Sequence, residues 1–354
     1  MSGTAAPRMS RLKAGRPPSA QASVYPKMVE TMVNETGHPH PEIAHLLAAC
    51  AGYAYGDELT VAMMMARMGL PDNVCLRISE SVDSMLIRAT AQLVQSRDGR
   101  VVILCYRGTE LLDIINWLAD IDVSPGPYPL TIPGSYKPFD VHAGWYRNVR
   151  SIRFEVISAL QRAVHGENII PEAYLPPDRE RKTGAMEALY ITGHSLGGAM
   201  AALMTIMLLT EENGYDDIRP RWKATYTFGQ PMMGSPDFAA ACNRNHFLRN
   251  NVIRYIYNRD VAPQLPPTFT GDFAHFGQEY RYTGTEPNGE WALQAMPMRQ
   301  LGRVGRLLLS PLPIVTRQIT AFRGLRFRAS FQDHFPRHYV AALAPSDCCT
   351  EFGP

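Results

Sequence analysis

The sequence predicts an α/β fold, and three observations carry that reading. Val101-Val-Ile-Leu-Cys-Tyr106 is an unbroken apolar run of strand length, the pattern of a strand buried on both faces. Leu189-Tyr-Ile-Thr192 is a second apolar run, and a Gly-rich turn separates it from about three turns of Ala, Leu and Met, residues that favour helix. The chain has 354 residues, 45% hydrophobic and 19% charged, which suits one large α/β domain or two small ones.

The turn is Gly193-His194-Ser195-Leu196-Gly197, which fits G-x-S-x-G. Strand, sharp turn and helix form the context that this motif needs. The turn is tight enough that a Cβ on either flanking residue would strike the neighbouring strand or helix, so both are glycine. Such a turn exposes the Ser195 hydroxyl at the top of a sheet. It also puts the Leu196 amide at a helix N-terminus, where unpaired N–H groups can hold an oxyanion.

Taken in order, residues 1–40 are rich in Pro, Ser, Ala and Arg without apolar periodicity and read as a basic, disordered tail. Residues 41–55, with Ile43, Leu46, Leu47, Cys50 and Tyr53 on one face, read as an amphipathic helix, and 58–70 as another. Arg107-Gly108-Thr109 follows the first buried strand at its carboxyl end, where open α/β sheets place ligands. Between Glu110 and Asp120, Leu111, Ile114, Ile115 and Leu118 share one helical face and Asp113, Asn116 and Asp120 the other. Residues 124–139 are rich in Pro, Gly and Tyr and read as an extended loop; a helix then runs to about Val164. Residues 166–187 read as a surface loop. The acidic cluster Glu211 to Asp217 reads as a solvated loop rather than a calcium site. Strands are expected over Lys223–Phe228 and Asn251–Tyr257, and Asp260 lies just past the second, in a Pro-rich loop.

Net charge is +2 but unevenly spread. Residues 1–29 carry five basic residues and no acid, and residues 291–332 carry seven arginines and no acid. The rest holds 35 − 12 = 23 basic against 33 acidic residues, so an acidic body bears two basic segments suited to an anionic partner. Six cysteines (Cys50, Cys75, Cys105, Cys242, Cys348, Cys349) show no paired spacing and suit a reducing compartment. No run approaches the roughly 20 apolar residues of a membrane span, and no secretory signal is read. The expected location is cytoplasmic or peripheral to a membrane.

A serine hydroxyl needs a base, usually His, which a carboxylate orients. In the nucleophile-elbow arrangement the chain order is Ser, then Asp or Glu, then His. With Asp260 as the acid, three bases remain: His275, His334 and His338.

The sequence resembles the class 3 lipases over about residues 40–345. The resemblance rests on Tyr106-Arg-Gly-Thr109, Asn116-Trp-Leu-Ala-Asp120, Val141-His-Ala-Gly-Trp145, Thr192-Gly-His-Ser-Leu-Gly-Gly-Ala199, Thr227-Phe-Gly-Gln-Pro231 with Gly234, Asp260 with the Val-Ala-Pro-Gln-Leu-Pro-Pro that follows, His275-Phe-Gly-Gln-Glu279 and Asp333-His334, in that order. It implies an α/β-hydrolase fold: a mostly parallel central sheet flanked by helices, with a lid helix over the site. It also implies that Ser195 is the nucleophile, Asp260 the acid and His334 the base, that the Leu196 and Thr109 amides form the oxyanion hole, and that residues 110–119 are the lid, its apolar face made by Leu111, Ile114, Ile115 and Leu118. His275 and His142 fall at positions that look structural. The implied activity is hydrolysis of acyl esters of glycerolipids; the alternatives are a phospholipase A1-like or other polar-lipid acyl hydrolase and, against the intact serine, acid, histidine and oxyanion positions, a hydrolase-fold binding protein that does not turn over. No metal, organic cofactor or nucleic acid is expected.

One α/β-hydrolase domain is thus expected over 41–346, between the tail at 1–40 and a C-terminal tail at 347–354. Residues 292–330 are an Arg-rich insertion outside the family pattern, and two readings stay open for them: contact with an anionic membrane or lipid surface, or a solvated insertion packed on the body.

Overall fold

The computed structural model describes residues 23–37, 39–108, 125–132, 135, 138–177, 179–210, 215–284, 289–302 and 330–345. The chain enters its main sheet through a hairpin, β1 (Val74–Val82) and β2 (Ile87–Gln95), which pairs antiparallel with β3 (Val101–Tyr106). β4 (Pro125–Leu130) and β5 (Phe139–His142) pair with each other in a separate ribbon. β6 (Ala188–His194), β7 (Trp222–Phe228), β8 (Val252–Tyr257) and β9 (Gln278–Thr283) continue the main sheet, parallel in the order β3-β6-β7-β8-β9. β10 (Glu290–Leu293) closes the far edge antiparallel. The result is the expected mostly parallel sheet.

Helices cover both faces. α1 (Met28–Asn34), α2 (Pro41–Tyr53) and α3 (Glu58–Arg67) pack on one; α4 (Ala143–Val164), α5 (Leu196–Thr210), α6 (Pro236–Arg244) and α7 (His246–Asn251) on the other; α8 (Pro336–Leu343) returns to the first. The strand period of two sends alternate residues of β3 and β6 to opposite cores, so neither strand has a solvent-facing side. Val102, Leu104 and Tyr106 join the core beneath α4 and α5, while Val101, Ile103 and Cys105 join the core beneath α1 and α2. Leu189 and Ile191 divide from Ala188 and Tyr190 in the same way. Cys50, Cys75, Cys105 and Cys242 are buried and free within these cores.

Two expectations are corrected. The tail does not extend to residue 40: Tyr25, Met28 and Met32 are buried, because Met28, Met32 and Val33 fall on one side of α1. Tyr190 donates its hydroxyl to the Met32 carbonyl at 2.9 Å, and the His40 amide donates to the Tyr226 hydroxyl at 3.1 Å, so the segment is tied down by both packing and hydrogen bonds. Residues 1–22 lie outside the described residues. The supposed loop at 124–139 also contains β4, whose backbone groups find partners on β5 despite three prolines, a composition tolerated at sheet edges.

No helix among the described residues is long and apolar enough to cross a membrane.

Candidate active site

β6 ends at His194 and α5 begins at Leu196, leaving Ser195 alone in the turn. Its φ is +58°, a left-handed conformation that a non-glycine residue adopts at a cost of about 1 kcal/mol or more. The turn is held by the Ser195 amide donating to the Phe228 carbonyl (2.8 Å) and the Gly198 amide donating to the Ser195 carbonyl (2.9 Å). The flanking glycines are required by contact. A Cβ on Gly193 would lie 2.3 Å from the Gly197 carbonyl, and one on Gly197 would lie 2.1 Å from the Tyr106 carbonyl oxygen.

Of the three candidate bases, His334 reaches this serine. Its Nε2 lies 2.8 Å from Ser195 Oγ and its Nδ1 lies 2.8 Å from Asp260 Oδ2. A carboxylate only accepts, so Nδ1 carries a proton; in the neutral ring Nε2 is then bare and the Ser195 hydroxyl donates to it. All three side chains are buried: Ser195 is 1% exposed, His334 3% and Asp260 0%. His275 instead contacts the Pro263 carbonyl at 2.7 Å through Nε2, and His338 stacks on Tyr257. His142 stacks on Trp145, with ring centroids 4.0 Å apart.

Asp260 is held from several sides. It stands three residues past the end of β8, and its amide donates to the Tyr257 carbonyl at 2.9 Å. Oδ1 accepts the Ala262 amide at 2.8 Å. Oδ2 accepts the Tyr339 hydroxyl at 2.5 Å in addition to His334. Burial and the neighbouring Asp260 carboxylate push the Tyr339 hydroxyl well above the usual phenol range, so it stays a donor. In sequence Tyr339 is marked only as the tyrosine that follows Asp333-His334 and Pro336, with no role attached; it stands five residues after His334, one turn into α8. The turn carrying His334 is further fixed by Asp333, whose Oδ2 accepts the Arg259 amide at 3.1 Å.

Gly229 marks the tightest point behind the pair. Its φ is +60°, and a Cβ there would lie 2.7 Å from Asp260 Oδ2 and 2.9 Å from His334 Nδ1. Gly229→Ala is therefore expected to push the Asp260 carboxylate and the His334 imidazole apart. Turnover should drop by at least about 10²-fold, since displacements near 1 Å cost that much, and stability by about 1–3 kcal/mol. Steady-state kinetics beside urea melts would check this, and turnover within a factor of three of wild type would contradict it.

Two buried histidines give the protein an acid limit. Burial, with His334 alongside, holds the His194 imidazole well below its usual range; burial, with the Arg254 guanidinium nearby, does the same for His275. Both rings stay neutral when folded but titrate near ~6.5 when unfolded. Below that pH the unfolded chain binds protons that the folded chain refuses, so their contribution to stability falls as pH falls and is flat above it. The expected loss is about 1.4 kcal/mol per pH unit per histidine. Urea unfolding at pH 7.5 and 5.5 tests this; equal stabilities would mean that the rings accept protons in the fold.

Thr109 and the helix-face residues Leu111, Ile114, Ile115 and Leu118 lie outside the described residues, as do 303–329 of the Arg-rich segment and Cys348 and Cys349. Leu196 is placed at the first position of α5, beside Ser195.

Residues 103–270 match the family model described as lipase (class 3). The chain is 27% identical over 214 residues to a lipase of Rhizomucor miehei, covering 60% of this chain and 50% of that protein. It is 29% identical over 179 residues to phospholipase A1-II 1 of Oryza sativa subsp. indica, covering 47% of this chain and 40% of that protein. The chain thus spans half or less of the length of these curated relatives. Among solved structures, lipase II from Rhizopus niveus aligns with a TM-score of 0.54 at 20% identity, over 83% of this chain and 92% of that one, a likeness of fold.

Proposed function

We propose that this chain, which belongs to the class 3 lipase family, is a serine hydrolase that cleaves acyl esters of glycerolipids through an acyl-enzyme. The observation that carries the reading is the pair of 2.8 Å hydrogen bonds joining Ser195, His334 and Asp260 in one buried line. Ser195 attacks the ester carbonyl while His334 Nε2 takes its proton. The Asp260 carboxylate holds the imidazole in the required tautomer and stabilises the imidazolium that forms. The oxyanion is received by the Leu196 amide, whose place at the start of α5 leaves it without an intrahelical acceptor, and by Thr109. His334 returns the proton to the leaving alcohol, and water, activated by the same base, releases the acid. No step in this sequence calls for a metal or an organic cofactor.

The lid and the membrane contact belong to the same proposal. Ser195 is nearly inaccessible, which supports a cover that must move, and residues 110–119 with Leu111, Ile114, Ile115 and Leu118 are its candidates. The seven arginines of 291–332 suit an anionic surface, each contributing about 1 kcal/mol near the lipid. A cytoplasmic or membrane-peripheral location accords with this reading.

A fluorophosphonate probe tests the chemistry. It should add to Ser195 in the native protein and not after heat unfolding; absence of the adduct would sink the proposal. The likeness to a rice phospholipase A1 supports a second substrate reading, cleavage of polar lipids. Fatty-acid release from phosphatidylcholine against release from tributyrin separates the two.

A further inference from the structure

We infer that His194 and Tyr55 are positioning residues for the base: they tie the His334 main chain to the elbow and to the strand end at Arg107–Gly108. This inference deepens the ester-hydrolase reading and rests on it.

His194 precedes Ser195 and packs on His334, with ring centroids 4.5 Å apart. Its Nε2 lies 2.7 Å from the His334 carbonyl oxygen. A carbonyl oxygen has no proton to give, so Nε2 must carry one. The ring is 2% exposed and stays neutral, which leaves Nδ1 as an acceptor. The Tyr55 hydroxyl, 2.9 Å from Nδ1, supplies the donor. The donors therefore run in one direction: Tyr55 O–H to His194 Nδ1, then His194 Nε2–H to the His334 carbonyl. A residue that only filled space would need neither contact. Here both nitrogens are engaged, so tautomer and ring orientation are fixed together.

Tyr55 touches the other side of the site as well. A Cβ on Gly108 would lie 2.2 Å from its hydroxyl oxygen, and the Arg107 guanidinium lies 5.9 Å from its ring centroid. Gly108 directly precedes Thr109, the candidate second oxyanion donor. One hydroxyl thus contacts the strand end that leads to the oxyanion position and, through one imidazole, the turn that carries the base. The two must keep a fixed separation for proton transfer and oxyanion binding to occur around the same carbonyl.

Tyr55→Phe removes one oxygen and keeps the ring. The expected result is about a ten-fold fall in kcat on p-nitrophenyl butyrate, with KM unchanged and an equal fall in the rate of fluorophosphonate addition to Ser195. ¹⁵N spectra of the imidazoles at neutral pH should show His194 protonated on Nε2 alone in wild type and a mixture of tautomers in the variant. His194→Gln, whose amide can still donate to the carbonyl, should retain more activity than His194→Leu. Wild-type labelling rates in Tyr55→Phe, or a His194 proton on Nδ1, would overturn the inference. Failure of wild type to label at Ser195 would instead overturn the hydrolase reading, and the ¹⁵N spectra would still decide the tautomer.

Discussion

Ser195→Ala is expected to lower tributyrin turnover by on the order of 10⁴-fold or more while leaving the fold in place. The change deletes one oxygen, whose partner is His334 Nε2 at 2.8 Å. The backbone bonds that hold the elbow, from the Ser195 amide to Phe228 and from the Gly198 amide to Ser195, involve no side-chain atom and survive. Alanine meets the same left-handed strain at φ +58° that serine does, so the unfolding midpoint should hardly move. Rates measured from below to above the solubility limit of tributyrin add a second readout. A jump at the limit in wild type, absent in Ser195→Ala, fits a covered site that opens at a lipid surface. A smooth saturating curve keeps the chemistry but makes the site permanently open. A variant rate within ten-fold of wild type would assign the nucleophile elsewhere.

What could be read from the residues depended on how local the signal was. β3 and the first four residues of β6, Ala188 to Ile191, declare themselves because each is buried on both faces and carries no polar position until Thr192 to confuse with a loop. The elbow declares itself because contact forces glycine on both sides of one serine within five residues. The hairpin of β1 and β2 escapes the same reading. Gln92 and Gln95 are fully buried polar residues, with Gln95 satisfied by the Glu167 carbonyl and the Ile169 amide more than 70 residues away. Their polarity breaks the apolar pattern that marks a strand, and only the fold supplies their partners. α1 escapes because its apolar side is two methionines and a valine within seven residues, too short for a period to stand out. Chain order reduced the bases to three, and the class 3 lipase resemblance pointed to His334. The proximity of His334 to Ser195, 139 residues away in sequence, is a property of the folded sheet. The same holds for Tyr55 and His194, also 139 residues apart, and for Tyr339 beside Asp260.

Asp260→Asn is the substitution in which those long-range partners decide the outcome. An asparagine there must turn its oxygen toward one donor and its NH₂ toward another. Position Oδ1 faces the Ala262 amide at 2.8 Å, a backbone donor that cannot reverse its role, so the oxygen takes that side. The NH₂ then occupies the Oδ2 side, 2.8 Å from His334 Nδ1 and 2.5 Å from the Tyr339 hydroxyl. The tyrosine can turn its hydrogen away and accept. The imidazole can meet an NH₂ only with a bare Nδ1, which moves its proton to Nε2, where it faces Ser195. The base is then occupied at the one atom that must take the serine proton, although no heavy atom has moved. Loss of turnover at neutral pH is expected at about 10⁴-fold, the size seen when a triad acid is made neutral and the tautomer is reversed. Fluorophosphonate addition should slow in parallel, with the urea midpoint little changed. Tyr339→Phe in the same assay should cost far less, since it removes a donor from Asp260 without reversing the imidazole. If Asp260→Asn turned over within ten-fold of wild type, His334 would hold its working tautomer without the carboxylate, and Asp260 would be a structural group beside the site.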